Sequence, residues 1–475
     1  MGSGVTLNSE TRLRFLCAHP RSVVRTPGSH VQDEEGDPDR IDRVPGLEDY
    51  MALNHTSAEF WDQRALEKEL LRVFDICHGC RRCFNLCPSF DFLFKTIDRK
   101  GDEVENLGPA DFEHTIDLCY QCKLCYNHCP YTPPHRWQID FPHLMLRGRL
   151  VKARRRGIPL RDRILSHTDA LGTLGCALAP LSNWANRNPI MRLVMEKTLG
   201  VHRHRNLPSF HRETFAEWYA RHRRPSAPSS SSGRSVALFY TCSVNYNQPE
   251  IGRAAVHVLE KNDIDVVVPK QKCCGMPFLD SGDLDSALES VAFNSRALED
   301  LVRRGLDIVS LGPTCTLMLK QEYPALVDED RVRTLAGHVF DICEYLMKLH
   351  EEGKLNTDFV KGMGRIAYHI PCHLRAQNIG FKSRDLMQLL PNTHVRLIEQ
   401  CSAHDGTWGA KKEYYHLSLK WAEKLFTQVN EGPVDRVVSD CPLAGLQIAQ
   451  GTQQKPVHPI QIVAEAYGFQ EHSGR

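Results

Sequence analysis

Two runs of sequence decide how this chain is read: Cys77-His-Gly-Cys80-Arg-Arg-Cys83-Phe-Asn-Leu-Cys87-Pro88 and Cys119-Tyr-Gln-Cys122-Lys-Leu-Cys125-Tyr-Asn-His-Cys129-Pro130. Both have the form C-x₂-C-x₂-C-x₃-C-P. Three thiols at these intervals on a tight turn reach three corners of one cube-shaped inorganic cluster. The fourth, a helical turn further on and followed by proline, leaves the turn toward a neighbour.

This is the spacing of the bacterial ferredoxin motif for [4Fe–4S] clusters, in which the fourth Cys of each run serves the other run's cluster. The expected ligand sets are therefore Cys77, Cys80, Cys83 and Cys129 for one cluster, and Cys119, Cys122, Cys125 and Cys87 for the other. Structural zinc pairs its cysteines as C-x₂-C across a longer loop, and the compact third Cys and trailing Cys-Pro do not fit it. A disulfide framework fits less well still, since nothing reads as a secretory signal.

Working outward, residues 57–76 place Phe60, Leu66, Leu70, Leu71, Val73 and Phe74 at helical spacing behind a candidate N-cap, Ser57, so a helix delivers the chain to Cys77. A second helix, over 111–118, enters the second run. The 31 residues between Cys87 and Cys119 exceed what a small αβ ferredoxin needs between its repeats, which favours a mainly helical module over 55–145.

Before it, residues 1–54 carry turn formers and the acidic patch Asp33-Glu34-Glu35-Gly36-Asp37, and read as a disordered tail. Its first 26 residues hold four Arg and one acid, as in a transit peptide, but the acids that follow argue against one. A working start near Met51 accounts for the stretch equally well. Cys17 lies alone and is read as unligated.

After the module, 146–222 form a basic helical connector (Arg147, Arg149, Lys152, Arg154, Arg155, Arg156) that becomes patchily apolar. Packing on its own protein is the plainer reading. A surface for anionic lipid or a partner subunit is the alternative. Residues 223–234, rich in Pro and Ser, read as a linker.

Beyond the linker, strands expected at 235–240, 264–268, 307–311, 365–370, 394–398 and 434–439 alternate with helices at 250–261, 284–303, near 386 and at 411–426. Such alternation implies right-handed parallel βαβ units. The cysteines fall just after the strands, where ligand sites of parallel sheets form. Cys242, Cys273 and Cys315 are followed by Cys372, Cys401 and Cys441 at offsets of 130, 128 and 126 residues. The unit is duplicated, as lobes 235–350 and 351–475. The fold class is thus α+β multidomain: a helical two-cluster ferredoxin domain followed by a duplicated α/β cysteine-rich domain with parallel strands.

The arrangement Cys242, Cys273-Cys274-Gly275, Cys315 and its repeat, behind two ferredoxin runs, resembles the cysteine-rich (CCG) iron–sulfur subunit family of heterodisulfide reductase, anaerobic glycerol-3-phosphate dehydrogenase and glycolate oxidase. The resemblance covers about residues 55 to 467. Tyr240-Thr-Cys242, Gly312-Pro-Thr-Cys315 and His369-Ile-Pro-Cys372-His373 look most like the glycerol-3-phosphate dehydrogenase type. It implies a cluster at the Cys-Cys pair and electron passage between a flavoprotein and a quinone or disulfide.

The chain departs from the family pattern at three positions. Met318 stands where the first lobe's last Cys would be, leaving Cys242, Cys273, Cys274 and Cys315 for one further Fe–S cluster. Ser402 and Ala444 leave the second lobe with Cys372, Cys401 and Cys441 only. Whether that lobe holds a cluster stays open, and His373 or the stretch His404-Asp405-Gly406 offers a nitrogen or oxygen ligand. Cys176 and Cys343 sit in apolar helical surroundings and read as packed thiols.

Lys+Arg 59 against Asp+Glu 58 gives no bulk charge that points to nucleic acid. No apolar run reaches the roughly 18 to 20 residues of a membrane span. There is no P-loop, and Gly362-Met-Gly364-Arg-Ile-Ala367 precedes a strand where a dinucleotide motif would follow one.

The expected function is an electron-transfer subunit between a flavin-dependent dehydrogenase and a quinone or other acceptor. Its expected place is the cytoplasm, with a peripheral position on the inner face of the plasma membrane as the alternative. The rivals are a heterodisulfide or thiol reductase working at the cysteine-rich cluster, and a non-redox scaffold with structural clusters.

Overall fold

The computed structural model describes residues 53–222 and 233–469. Cys17, the acidic patch, most of the expected tail and most of the linker lie outside the described residues. The end of the expected tail does not: Leu53 is fully buried in the core of the first cysteine-rich lobe, and His55 Nε2 lies 2.8 Å from the Leu326 carbonyl. The described chain therefore begins by lying against a segment 271 residues downstream.

Residues 53–222 are helical. Ser57 caps a single turn, Ala58–Trp61, and Asp62 caps Gln63–Cys80 by accepting the Ala65 N–H at 2.7 Å. Leu66, Leu70, Val73 and Phe74 form the buried stripe of that helix. The expected helix ends before the first ligand, but the observed one runs through Cys77 and Cys80. It stops at Arg81, a left-handed residue (φ 51°) whose N–H bonds the Cys77 carbonyl.

Helices Pro88–Arg99, Pro109–Leu118 and Phe141–Arg156 complete this module, with Phe90 stacked on Phe141 at 4.3 Å. The basic run at the end of Phe141–Arg156 is spent on this body. Lys152 pairs with Glu113 and Asp117, Arg156 with Glu113, and Arg154 lies over the Trp61 ring.

The second half contains β1 (Arg234–Phe239), β2 (Ile264–Val267), β3 (Asp307–Ser310), β4 (Val339–Asp341), β5 (Gly364–His369), β6 (Thr393–Ile398) and β7 (Arg436–Ser439). All pairings among them are parallel, in the orders β2-β1-β3-β4 and β6-β5-β7. The strand β4 is not among those expected from sequence. It is three residues long, and Asp341 immediately caps the helix Ile342–Glu351. In the second lobe its counterpart shrinks to one parallel bridge, Val438 to Val457, before the helix Pro459–Ala466. That last helix packs Ile460, Val463 and Ala464 into the first lobe's core beside Ile251, Ala255 and Val258, so the lobes interlock.

One glycine shows how closely the connector is packed on the first lobe. Gly172, in the helix Thr168–Ala177, faces the Tyr246 ring so closely that a Cβ would lie 2.2 Å from it. Gly172→Ala is expected to force the ring aside and destabilise the protein by about 1 to 3 kcal/mol, read as a lowered unfolding midpoint.

Candidate iron–sulfur centre

In the first ferredoxin run, the Gln63–Cys80 helix carries Cys77 and Cys80, and the turn after Arg81 carries Cys83. Cys129, at the end of Leu124–His128, arrives from the second run. These four thiols line one small cavity with Phe90, Phe94, Tyr131 and Ile139. Burial, then the neighbouring thiols, pushes Cys77 up and Cys83 up to about 12. Thiols crowded in this way are stable as thiolates when they surround positive iron.

Cys87, capping Pro88–Arg99 from the first run, is buried with Cys119, Cys122 and Cys125 of the second. Burial, then Cys119, raises the Cys87 thiol. Burial also raises Cys122 and Cys125, with Cys87 among the neighbours that add to it. The backbone here is irregular, with Gln121 and Lys123 both left-handed. Arg149 donates to the Cys119 carbonyl, and Gln121 Nε2 lies 3.5 Å from Cys119 Sγ.

In the first lobe, Cys242 begins a short helix after β1. Cys273 and Cys274 precede Gly275 (φ 100°) after β2, and Cys315 lies in Pro313–Leu317 after β3. All four thiols line a cavity of about 190 Å³. A hydrogen bond with Cys242 draws the Cys273 thiol down, while the same contact and burial push Cys242 up. Met318 is fully buried beneath Gly275, at the start of a π-helical turn Met318–Glu322.

Sequence reasoning missed the connector's part in this pocket. Asp169 Oδ2 accepts the Cys273 N–H at 2.7 Å, its Oδ1 is 3.6 Å from Cys242 Sγ, and Thr168 Oγ1 donates to Cys242 Sγ at 3.3 Å. No local signal marks either residue, because both lie more than 70 positions from the thiols they meet.

In the second lobe, Cys372 follows β5, Cys401 follows β6 and Cys441 follows β7. Sequence alone does not reveal their neighbours. Tyr120 Oη lies 3.1 Å from Cys401 Sγ. Burial and then Cys401 push the Cys122 thiol up, and burial, Asp405 and Cys122 do the same to Cys372. Cys372 and Cys401 therefore face the second ferredoxin run. Ser402 and Ala444, in place of thiols, are buried.

His373 joins the three parts. Its Nδ1 is 2.9 Å from Thr314 Oγ1 of the first lobe, and its Nε2 is 3.0 Å from the Gln121 carbonyl of the ferredoxin module. Nearby Asp280 is pushed up to about 7 by burial and then by Asp405. Cys176 and Cys343 are buried, and Cys176 Sγ donates to the Tyr246 carbonyl at 3.4 Å.

Among the described residues, no helix is long and apolar enough to cross a membrane. Residues 70–155 match the citrate utilization protein B Fer4-like domain, and residues 236–320 and 366–449 each match the cysteine-rich domain. An anaerobic glycerol-3-phosphate dehydrogenase subunit of Escherichia coli is 32% identical over 311 residues, 65% of this chain and 77% of its own. A subunit of the fumarate reductase (CoM/CoB) of Methanothermobacter marburgensis is 28% identical over 237 residues, 49% of this chain and 45% of its own. Lactate utilization protein A of Geobacillus kaustophilus is 27% identical over 223 residues, 43% and 87% respectively. With its ferredoxin-like module set before two cysteine-rich lobes, this chain belongs to the iron–sulfur electron-transfer family that includes the Escherichia coli anaerobic glycerol-3-phosphate dehydrogenase subunit.

Proposed function

We propose that this chain is the iron–sulfur subunit of a dehydrogenase or reductase complex, relaying electrons between a flavoprotein partner and a quinone or other acceptor. The observation that carries the reading is the convergence of the ferredoxin module and both lobes on His373, through Gln121 and Thr314. Thiol sites built into one packed body suit a relay, because a fixed spacing spares each transfer any rearrangement of the protein.

Two [4Fe–4S] clusters would be held by Cys77, Cys80, Cys83 and Cys129 and by Cys119, Cys122, Cys125 and Cys87, and a third cluster by Cys242, Cys273, Cys274 and Cys315. Bound there, the clusters supply one-electron carriers whose potentials follow burial and hydrogen bonds to sulfur. The chain's own groups provide both. The Tyr131 N–H donates to Cys129 Sγ at 3.4 Å, the Ala403 N–H to Cys401 Sγ at 3.2 Å, and Thr168 to Cys242. Phe90, Phe94 and Ile139 give the first site an apolar wall.

The connector presents the docking face. Trp184 and Ile190 are 52% and 72% exposed, beside the exposed Leu174, Leu178, Leu181 and Val194, on three successive helices over 168–199. Exposed apolar side chains recurring along three successive helices suit contact with a partner or a membrane surface.

The test is anaerobic purification of the full chain, iron and sulfide analysis, and an EPR-monitored redox titration followed by reoxidation with a soluble quinone. At least about eight irons per chain, reversible reduction and quinone-driven reoxidation are expected. Cys274→Ala should keep the ferredoxin signals and slow reoxidation at least tenfold. Clusters that cannot be reduced would overturn the relay. Reduction of a heterodisulfide that Cys274→Ala abolishes would replace it with a reductase.

A further inference from the structure

Resting on the iron–sulfur reading above, we propose that Cys372, Cys401, Cys441 and the carboxylate of Asp405 form one iron–sulfur site in the second lobe, with Asp405 supplying an oxygen ligand where a fourth thiol would stand. The three cysteines follow three adjacent parallel strands, β6-β5-β7, so the topology delivers them to one end of one sheet. Asp405 lies on the same rim, four residues after Cys401. Its ligand atoms and those of Cys372 and His373 lie within 4.8 Å of one another.

Asp405 is 8% exposed, and its Oδ2 has no hydrogen-bond partner. His373 Nε2 stands 3.1 Å from that oxygen but directs its N–H at the Gln121 carbonyl, while Nδ1 meets Thr314. Both imidazole nitrogens are thereby engaged, so His373 orients the site and is not its fourth ligand. His404 Nδ1 is likewise buried without a hydrogen-bond partner, and the Asp405→Asn comparison separates the two groups.

A buried carboxylate oxygen with no donor is costly. Here it sits with three thiols and near a second carboxylate, since a Cβ on Gly406 would lie 3.6 Å from Asp280 Oδ2. A bound cation would satisfy that oxygen and hold the three thiols as thiolates. Iron suits three sulfurs and one oxygen, and the exclusion of a fourth thiol by Ser402 and Ala444 gives the oxygen its place.

The test compares full-length wild type, Cys372→Ser/Cys441→Ser, Asp405→Asn and Asp405→Cys, all reconstituted anaerobically, by iron content, EPR and Mössbauer spectroscopy. Wild type should carry about four more irons per chain than the double variant. Asp405→Asn, which keeps the side-chain shape, should lose at least one of those irons and show a three-iron signal when oxidised. Asp405→Cys should restore the iron and alter the spectrum of that site alone.

Equal iron in wild type and the double variant, zinc in place of iron, or an Asp405→Asn spectrum identical to wild type would each overturn the proposal. Absence of the two ferredoxin signals from wild type would instead sink the reading it rests on. Matching circular dichroism for Asp405→Asn and wild type ensures that lost iron reports ligation and not unfolding.

Discussion

Replacing Cys129 by alanine is expected to empty the site of the first cysteine run and leave the second intact, although Cys129 belongs to the second. Cys129 shares its cavity with Cys77, Cys80 and Cys83, and Cys87 is buried with Cys119 and Cys122. The loss should be about four irons per chain, with the EPR signal of one cluster gone and the other unshifted. Cys87→Ala should produce the converse spectrum. The two variants together separate crossed from uncrossed ligation. If each run held its own cluster, Cys129→Ala would remove the signal that Cys122→Ala removes. Crossed sets would give Cys129→Ala and Cys80→Ala the same surviving spectrum. Exchange of the two outcomes would overturn the assignment.

What can be read from sequence is whatever repeats at short range. The ferredoxin cysteines declare themselves by spacing, and β1, β2, β3, β5 and β6 fall within a residue of their expected bounds because buried parallel strands are short apolar runs with turns at both ends. The strand β4 escapes because three residues carry no periodicity. The helix through Cys77 and Cys80 escapes because thiol spacing of three also suits a helix, and a metal motif reads as a turn.

The connector's role is out of reach for a different reason. Asp169 meets Cys242 and Cys273 across 73 and 104 positions, and Tyr120 meets Cys401 across 281. Such contacts arise from packing, and no local pattern announces them. Asp405 stands between these cases: its place after Cys401 is visible in the sequence, but its lack of a hydrogen-bond donor needs the fold.

The contact that ties the ferredoxin module to the first lobe is equally hidden, and breaking it should cost most in stability. Lys123 pairs with Glu322, whose other oxygen lies 3.1 Å from His143 Nε2, and His143 Nδ1 lies 2.7 Å from Asp140 Oδ2. Lys123 and Glu322 are 7% and 1% exposed at their side chains. Glu322→Gln would leave two cationic groups buried with one carboxylate between them, and removing one partner of a buried pair costs about 3 to 5 kcal/mol.

The pH dependence gives a second reading of the same network. Burial pulls the His143 pKa down, but Asp140 and Glu322 outweigh it and raise it from 6.5 to about 9. A raised folded pKa stabilises fully below pH 6.5 and is lost as pH climbs through about 9. At most about 3 kcal/mol is involved, at about 1.36 kcal/mol per unit. Glu322, held below its usual range despite burial by Lys123 and His143, adds stability that is present above about pH 4.5 and fails in acid.

The wild-type unfolding midpoint, scanned at fixed rate from about pH 6 to about pH 10, should therefore fall on the alkaline side. Its difference from Glu322→Gln should narrow over the same interval, since the variant's His143 keeps only Asp140 and titrates earlier. The subtraction cancels groups common to both proteins. A constant difference across that interval would show that Glu322 acts on Lys123 alone, with His143 neutral in the folded protein.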